Sequence, residues 1–122
     1  MSDPVSPAIR VLMMPRDTNA HGTIFGGVIL SHIDQAGAIA AHQAGCGRVV
    51  TVALDKVEFH EPVYVGDLVS FHARPMHVGN TSIAVRVTVK AQGAQREEVV
   101  VTEANVTYVN IDERGAPVPI KD

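Results

Sequence analysis

The sequence predicts a single α+β domain in which one long helix packs against an antiparallel sheet of five strands. Apolar residues recur at helical spacing in one stretch, 26–44, and alternate with polar residues in several stretches after Arg48. Turns that contain Gly or Pro separate the alternating stretches, as is typical of strands joined by hairpins. The 122 residues suffice for one domain with its own core, so residues 1–122 are treated as one unit.

The first elements are a loose segment, a short strand and the helix. Met1–Pro7 is predicted to be irregular, and the apolar run Ile9–Met14 is predicted to be a strand that Pro15 ends. The helix follows over 26–44, and Gly45 after it supplies a stop signal.

Four further strands are predicted after the helix. They run from Arg48 until Pro62, over Leu68–Val78, around Ile83–Val89, and over Val99–Val109. The alternation slips in phase near Asp55 and Lys56, which indicates a bulge, and Pro75 indicates an irregular or edge position. Turns are predicted at Gly79-Asn80, at Gln92–Gln95 and in the tail Asp112–Pro119.

Composition and charge exclude several classes of function. The chain has 46% hydrophobic residues, a net charge of -3 and basic residues scattered along its length, whereas a nucleic-acid-binding domain carries a clustered basic face. No stretch approaches the roughly 18 apolar residues of a membrane span, and no signal peptide is recognisable. Cys46 is the only cysteine, and it is expected to be an apolar spacer in a cytoplasmic protein. We therefore expect neither a nucleic-acid partner nor a membrane partner.

The single predicted helix is too short to cover the whole sheet. Its length of about 27 Å leaves part of a five-stranded sheet uncovered. Strands as long and apolar as these also leave an edge that would promote aggregation unless another chain pairs with it. We therefore expect an obligate oligomer.

Asp34 is the first candidate for a catalytic group, because it lies in the middle of the predicted buried helix. A polar stripe lies to one side of it, formed by Ser31, His32, Gln35, His42 and Gln43. Its own side of the helix holds mostly small residues, Gly27, Leu30, Gly37, Ala38 and Ala41, which would let a substrate or another helix approach. A carboxylate is costly to bury unless it is paired, protonated or reached by water. Asp34 is therefore either a structural group or a general base or nucleophile.

A polar, glycine-rich loop leads directly into the start of this helix. It contains Asn19 and His21, and it ends at Gly26 and Gly27. The first N–H groups of a helix have no partner within it, and the helix dipole favours negative charge there. Gly26 or Gly27 could thus donate to a carbonyl oxygen, and the Asn19 amide could hold the carbonyl or an attacking water. Ordinary turn chemistry explains Asn19 and His21 equally well.

Other site chemistries lack the pattern that they require. Neither a dinucleotide-binding nor a phosphate-binding glycine motif is present, and the six histidines form no metal-binding motif. We therefore expect no metal and no cofactor.

Five ordered motifs extend over nearly the whole chain, from about Ile9 to Pro119. They are MPRDTNAHGTIFGGVILSHIDQAGAIAA, GRVVTVALDKVEF, PVYVGD, GNTSI and VTYVNID. Together they resemble the hotdog-fold acyl-CoA thioesterases of the bacterial YciA type and the acyl-CoA hydrolases related to them.

The resemblance implies a hotdog fold, in which the sheet wraps the long helix, and an acyl-CoA substrate. It implies a homodimer joined edge to edge, with three dimers assembling into a hexamer. Asp34 matches the general base or nucleophile, Asn19 acts with it from the partner subunit, and Gly26 and Gly27 form the oxyanion hole. CoA, a part of the substrate and product rather than a cofactor, is held by two segments: Thr51, Val52 and Ala53, and Asn80, Thr81 and Ser82.

Two other functions stay open. Hydratases and dehydratases of this fold that act on enoyl-CoA use Asp and His in a D-x-N-x-x-H arrangement. Asp17, Asn19 and His21 are similar to it, but the His comes one residue too early and the Asp34 motif fits thioesterases better. A non-catalytic acyl-CoA-binding module is the second alternative, and the presence of both Asn19 and Asp34 weighs against it.

Overall fold

A computed structural model describes residues 6–94 and 96–121 of the chain. The elements are β1 (Ile9–Leu12), a short 3-10 helix (Pro15–Asp17), α1 (Gly26–Gln43), β2 (Arg48–Phe59), β3 (Leu68–Val78), β4 (Ser82–Gly93) and β5 (Arg96–Ile111). The five strands form one antiparallel sheet in the order β1-β3-β4-β5-β2, and α1 packs mainly on β3 and β4. The predicted α+β class, with one long helix on a five-stranded sheet, is confirmed. None of the helices in this part of the chain is long and apolar enough to cross a membrane.

The core lies between α1 and the inner face of the sheet. The inner row of β4 is buried and consists of Ile83, Val85, Val87, Val89 and Ala91. The buried residues of α1 are Ile29, Ile33, Ala36, Gly37, Ala40 and Ala41. Because side chains alternate across a strand, the outer row of β4 carries the half-buried Arg86, Thr88 and Lys90. The predicted alternation in β4 is therefore confirmed as a dry inner face and a polar outer face.

The end of α1 is held against the C-terminal tail. Gly45 adopts a φ of 112°, and the backbone of Lys121 leaves no room for a Cβ at this position. Cys46 beyond it is buried, and burial raises the pKa of its thiol. A neutral, inaccessible thiol fits the spacer role that we expect for this cysteine.

β2 contains the predicted bulge. Its register with β5 shifts between Asp55 and Glu58, and Lys56 between them adopts a φ of 51°. A second shift, between Thr51 and Ala53, was not predicted. Each shift leaves residues of β2 without an opposite partner and bends the strand.

The other side of β2 is an open edge. β2 is bonded only to β5 in the sheet, and the apolar side chains of Val50, Val52 and Leu54 are 42%, 56% and 38% exposed. An apolar strand of 12 residues with a free row of backbone groups is a template for pairing with another chain.

Pro75 lies where β3 has a partner on one side only. β1 pairs with Leu68–Phe71 and no further, and the register between β3 and β4 shifts between Pro75 and His77. Proline cannot donate to a strand ladder. The predicted irregularity is thus confirmed, although β3 as a whole lies inside the sheet.

Some predicted bounds differ from the structure. β1 ends at Leu12 rather than Met14, because the N–H of Met14 donates to the Asp17 carboxylate in the 3-10 turn. β5 is longer at both ends than the predicted Val99–Val109, because it is paired with β4 on one side and β2 on the other. Of the predicted turn at Gln92–Gln95, the first two residues belong to β4, which ends at Gly93. Gln95 and most of the predicted lead-in, residues 1–5, lie outside the described residues.

Candidate active site

The carboxylate of Asp34 is half-buried between α1 and β2. The hydroxyl of Thr51 donates a 2.7 Å hydrogen bond to its Oδ1 atom. Among the described residues, no basic side chain forms an ion pair with Asp34. The carboxylate is thus oriented by a neutral hydroxyl while its negative charge stays uncompensated, which suits a base or a nucleophile.

Tyr108 is a second partner of the same residue. This tyrosine of β5 is buried, and its hydroxyl donates a 2.6 Å hydrogen bond to the backbone carbonyl of Asp34. Burial raises the pKa of Tyr108, and the nearby Asp34 carboxylate raises it further, so the hydroxyl stays a proton donor. The sequence analysis missed Tyr108, although its inward position in the alternation of β5 marks it as a core residue with a polar group.

Gly37 is what allows Tyr108 to come so close to the helix. A Cβ built at Gly37 would overlap the Tyr108 hydroxyl. The small side of the helix around Asp34 was expected to admit a substrate or another helix. At Gly37 it is filled instead by a side chain of the sheet.

Strand register brings the two segments predicted to hold CoA to the same end of the sheet. Across β4, β5 and β2, Ile83 is opposite Tyr108, and Tyr108 is opposite Thr51. In the next row Ser82 is opposite Val109 of β5. The segments Thr51–Ala53 and Asn80–Ser82 are therefore separated by the single strand β5.

The turn before β4 is supported from behind by the tail. The carbonyl of Asn80 accepts a 2.8 Å hydrogen bond from the N–H of Ile120, and the carbonyl of Thr81 accepts one of 2.8 Å from Asn110. The side chain of Asn80 is exposed. The end of β5 and the segment after it thus hold this turn through its backbone, while the Asn80 side chain stays exposed.

The N-terminus of α1 presents bare backbone donors. The N-cap residue Phe25 has no side-chain cap, and the N–H groups of Gly26 and Gly27 donate to no acceptor among the described residues. A Cβ at Gly27 would collide with the ring of Phe25. Gly27 is thus required where the Phe25 ring packs on the helix start. The free N–H donors that the sequence analysis expected of an oxyanion site are present at the two glycines.

Asn19 is engaged in its own loop. Its Oδ1 accepts backbone N–H groups of His21 and Thr23, at 2.7 and 3.2 Å, and its Nδ2 donates to the Thr23 hydroxyl at 2.9 Å. Within the described part of one chain, the Asn19 side chain forms no hydrogen bond with Asp34. The turn chemistry considered for Asn19 is present, and it holds the amide rigidly on the loop before α1.

The residues that suggested a hydratase do not converge. The Asp17 carboxylate accepts the N–H of Met14 at 2.9 Å and so caps the 3-10 turn. The side chain of His21 is exposed. Neither side chain contacts the other in the described part of the chain, so the alternative finds no support in this geometry.

A cavity of about 350 Å³ opens beside the first turn of α1. Gly26 lines it, and its other lining residues are Thr23, Ile24, Ile29, Phe59, His60, Glu61, Pro62, Val63 and Thr102. A larger cavity, of about 580 Å³, lies among outer-face residues such as Arg74 and Arg86. No residue predicted for catalysis or CoA binding lines the larger cavity, so we take the smaller one as part of the candidate site.

One group in the described residues combines three potential metal ligands, Glu58, His60 and Glu103. The sequence analysis did not identify it, because its members are far apart in the chain. The carboxylate of Glu103 is already paired with His60 at 3.2 Å and with Arg86 at 3.4 Å. We assign no metal to this cluster.

Comparisons with known proteins identify a family for the chain and relatives that are similar in sequence and in fold. A family profile described as the thioesterase superfamily matches residues 21–98. The chain is 42% identical over 113 residues to the acyl-CoA thioester hydrolase YciA of Escherichia coli, covering 89% of this chain and 86% of that protein. In structure it is similar to a hexameric hotdog fold thioesterase of Campylobacter jejuni, with 48% identity and a TM-score of 0.88 over 95% of this chain and 90% of that one. It is also similar to a hexameric thioesterase from Yersinia pestis, with 41% identity and a TM-score of 0.91 over 98% of each chain. The hotdog fold that the sequence resemblance implied is confirmed.

Proposed function

The chain belongs to the thioesterase superfamily, and from this premise we propose that it is an acyl-CoA thioesterase, which hydrolyses acyl-CoA to a free carboxylic acid and CoA. A relative named acyl-CoA thioester hydrolase, at 42% identity, and a hotdog fold thioesterase, at 48% identity, support the reaction class. The observation that carries the proposal is the carboxylate of Asp34, which Thr51 orients and which forms no ion pair with any basic side chain in the described part of the chain.

In the proposed reaction Asp34 acts on the thioester carbonyl. As a general base it takes a proton from a water molecule whose oxygen attacks the carbonyl carbon; as a nucleophile it attacks that carbon itself. The C–S bond then breaks, and the CoA sulfur leaves with the bonding electrons. In the general-base route the sulfur takes up the proton that Asp34 removed from the water, and the carboxylic acid is free. In the nucleophilic route a water molecule then hydrolyses the acyl-Asp34 anhydride, which releases the carboxylic acid, restores the Asp34 carboxylate and supplies the proton for the sulfur. Both routes need the carboxylate of Asp34 directed at the substrate, and the hydroxyl of Thr51 orients it.

The oxyanion that develops on the carbonyl oxygen is assigned to the N–H groups of Gly26 or Gly27, in a site shared by two subunits. Gly26 and Asp34 are eight residues apart on one helix, which is about 12 Å along its axis. One carbonyl group cannot contact both ends of that span. We therefore assign Asp34 of one subunit and the Gly26-Gly27 donors of its partner to the same thioester, with Asn19 of that partner beside them.

The assembly that would create such a site is a homodimer formed along β2. The open, apolar edge of this strand supports pairing of two copies into one continuous sheet. Similar thioesterases of Campylobacter jejuni and Yersinia pestis are hexameric, and three dimers per hexamer is the assembly that we propose here. The buried, neutral Cys46 is compatible with the cytoplasmic location that we propose.

The CoA part of the substrate is assigned to Thr51–Ala53 and Asn80–Ser82. Their proximity across β5 and the exposure of Val52 and Asn80 support this assignment. Backbone and hydroxyl groups are the donors and acceptors available there, so binding requires no phosphate-binding loop.

The test is thiol release from acyl-CoA substrates of short, medium and long chain. Replacement of the carboxylate in Asp34→Asn should reduce kcat by about 10²- to 10⁴-fold, with CoA binding and the assembly unchanged. Gln35→Ala, which alters the exposed neighbour of Asp34, is the matched control and should keep full activity. An Asp34→Ala protein with normal turnover would refute the assignment.

Hydration of crotonyl-CoA without thiol release would instead identify the hydratase alternative, and saturable CoA binding with neither reaction would identify a binding module.

A further inference from the structure

A polar atom without a partner lies beneath the start of α1. The side chain of Thr102 in β5 is 0% exposed, and its Oγ1 has no hydrogen-bond partner among the described residues. Burying a hydroxyl without a partner destabilises a fold, and native proteins rarely keep such a group without a reason. The side chain has no accessible surface, so bulk water does not satisfy it.

Thr102 lines the cavity of about 350 Å³ that opens at Gly26. The apolar lining residues of this cavity are Ile24, Ile29, Phe59, Pro62 and Val63. Of the polar ones, the Thr23 hydroxyl is bonded to Asn19, while His60 and Glu61 are exposed. Thr102 is thus the one buried, unpaired polar group in the lining described here.

Phe59 lies next to both Thr102 and the start of α1. It lies directly opposite Thr102 in the register of β2 and β5, and residues opposite one another share a face of the sheet. Its side chain is 54% exposed, and its ring comes within 3.6 Å of a Cβ built at Gly26. A ring that is so exposed can turn aside, which would open the recess from the helix N-terminus to Thr102.

We propose that Thr102 is a specificity-determining residue, which favours acyl groups that carry a hydroxyl or keto oxygen on the chain. The inference rests on the proposed function, because it takes the substrate carbonyl to be held at the N–H groups of Gly26 and Gly27. From there the acyl chain enters the cavity, turns the Phe59 ring aside and reaches Oγ1 of Thr102. A hydrocarbon chain leaves that hydroxyl unpaired, whereas a chain oxygen pairs with it, since a threonine hydroxyl both donates and accepts. Sites of this kind discriminate against the analogue that lacks the polar group.

The experiment compares kcat/KM for hexanoyl-CoA, 3-hydroxyhexanoyl-CoA and 5-hydroxyhexanoyl-CoA in the wild type, Thr102→Val and Thr102→Ser. We expect the wild type to prefer one of the hydroxyacyl substrates by about tenfold, the gain from one additional hydrogen bond. Thr102→Val, which keeps the shape and removes the hydroxyl, should lose this preference while it retains activity on hexanoyl-CoA. Thr102→Ser should keep the preference. An equal loss on all three substrates in Thr102→Val would indicate a merely structural role and would overturn the proposal.

Thermal unfolding supplies a second readout. Thr102→Val should have an equal or higher midpoint than the wild type, because it removes an unpaired polar atom without changing the volume. A clearly lower midpoint would show that the hydroxyl has a partner in the native assembly, against the proposal. A wild type that releases thiol from none of the three substrates would overturn the proposed function and this inference together. Activity on all three with the same substrate ratio in the wild type and Thr102→Val would overturn this inference alone.

Discussion

The hydroxyl of Tyr108 donates a 2.6 Å hydrogen bond to the backbone carbonyl of Asp34, 74 residues away in the sequence. This bond joins the middle of α1 to the C-terminal part of β5, directly opposite Thr51, whose hydroxyl bonds the Asp34 carboxylate. The sheet therefore sets both the height of the helix at Asp34 and the direction of its carboxylate. Several measurable consequences follow from this coupling.

Removing the tyrosine hydroxyl should weaken the fold more than it weakens turnover. In Tyr108→Phe the Asp34 carbonyl loses a buried donor, so we expect the free energy of unfolding to fall by about 1–2 kcal/mol. We expect kcat to fall less than in Asp34→Asn, because the carboxylate remains. Urea unfolding and thiol release measure the two effects. Tyr64→Phe, at a tyrosine that is 45% exposed, is the control, and equal losses in both variants would contradict the role of Tyr108.

Alkaline pH should act on the fold through the same hydroxyl. Burial, with a further contribution from Asp34, raises the pKa of Tyr108 in the folded state, whereas tyrosine in the unfolded chain titrates near a pKa of about 10. Above about pH 10 the folded state thus retains a proton that the unfolded chain loses. The contribution of this hydroxyl to the free energy of unfolding is therefore fully present below about pH 10, and it is lost as the pH rises further. Unfolding free energies measured across this range should fall more steeply for the wild type than for Tyr108→Phe. Parallel curves would disprove this linkage.

A methyl group at Gly37 should destabilise the protein despite the better helix propensity of alanine. The added Cβ would overlap the Tyr108 hydroxyl, and overpacking of this kind costs about 1–3 kcal/mol. Gly47→Ala is the control, because a Cβ there meets nothing within 4 Å. Thermal unfolding of the two variants distinguishes them, and a Gly37→Ala protein as stable as the control would show that the helix can shift freely.

Loss of the hydroxyl that orients the carboxylate should reduce catalysis. Thr51→Val removes the 2.7 Å hydrogen bond to Asp34, and we expect kcat to fall by about tenfold or more, since hydrogen bonds to charged groups are the stronger ones. Thr51→Ser restores the donor and should recover most of the activity. Steady-state kinetics with one acyl-CoA test this, and a serine variant as slow as the valine variant would argue against orientation by the hydroxyl.

A charge on the edge of β2 should separate the subunits. Val50 is 42% exposed on this edge strand and lies outside the segments assigned to CoA, and a lysine there places charges where two copies would meet. We expect Val50→Lys to give smaller species in light scattering and to lose most thiol release, because the proposed site needs two subunits. Val65→Lys, at an apolar residue 43% exposed in the turn before β3, should assemble normally. An intact oligomer in Val50→Lys would place the interface elsewhere.

Local patterns were enough to predict most of the fold. The bounds of β3 follow from the turn residues on either side of it, and the inner row of β4 follows from alternation. The bulge at Lys56 follows from a slip in the alternation of β2. β5 is longer than predicted because its first residues, Arg96 and Glu97, are polar and have no apolar alternation, yet they continue the strand toward β4. Pairing rather than sequence pattern decides where such a strand begins.

The candidate site was predictable only in part. Asp34 and the Gly26-Gly27 start could be identified because position on a helix is a local property. The partners of Asp34 could not be identified, since Tyr108 and Thr51 meet it only through strand order and register. The unpaired hydroxyl of Thr102 is equally non-local, because its lack of a partner depends on the packing of Phe59 and Val89 around it.

The row Ile83, Tyr108 and Thr51 limits how this chain can change in length. Side chains alternate along a strand, so an insertion or deletion of one residue beside Tyr108 would turn this side chain to the outer face and leave the Asp34 carbonyl without its donor, unless a bulge absorbed the change. β5 already holds one extra residue of this kind, Val101, between the residues opposite Val89 and Lys90. The turns between strands impose no such alternation. Chains built on this plan should therefore gain or lose residues in the turns or at bulges, while the part of β5 around Tyr108 changes by substitution.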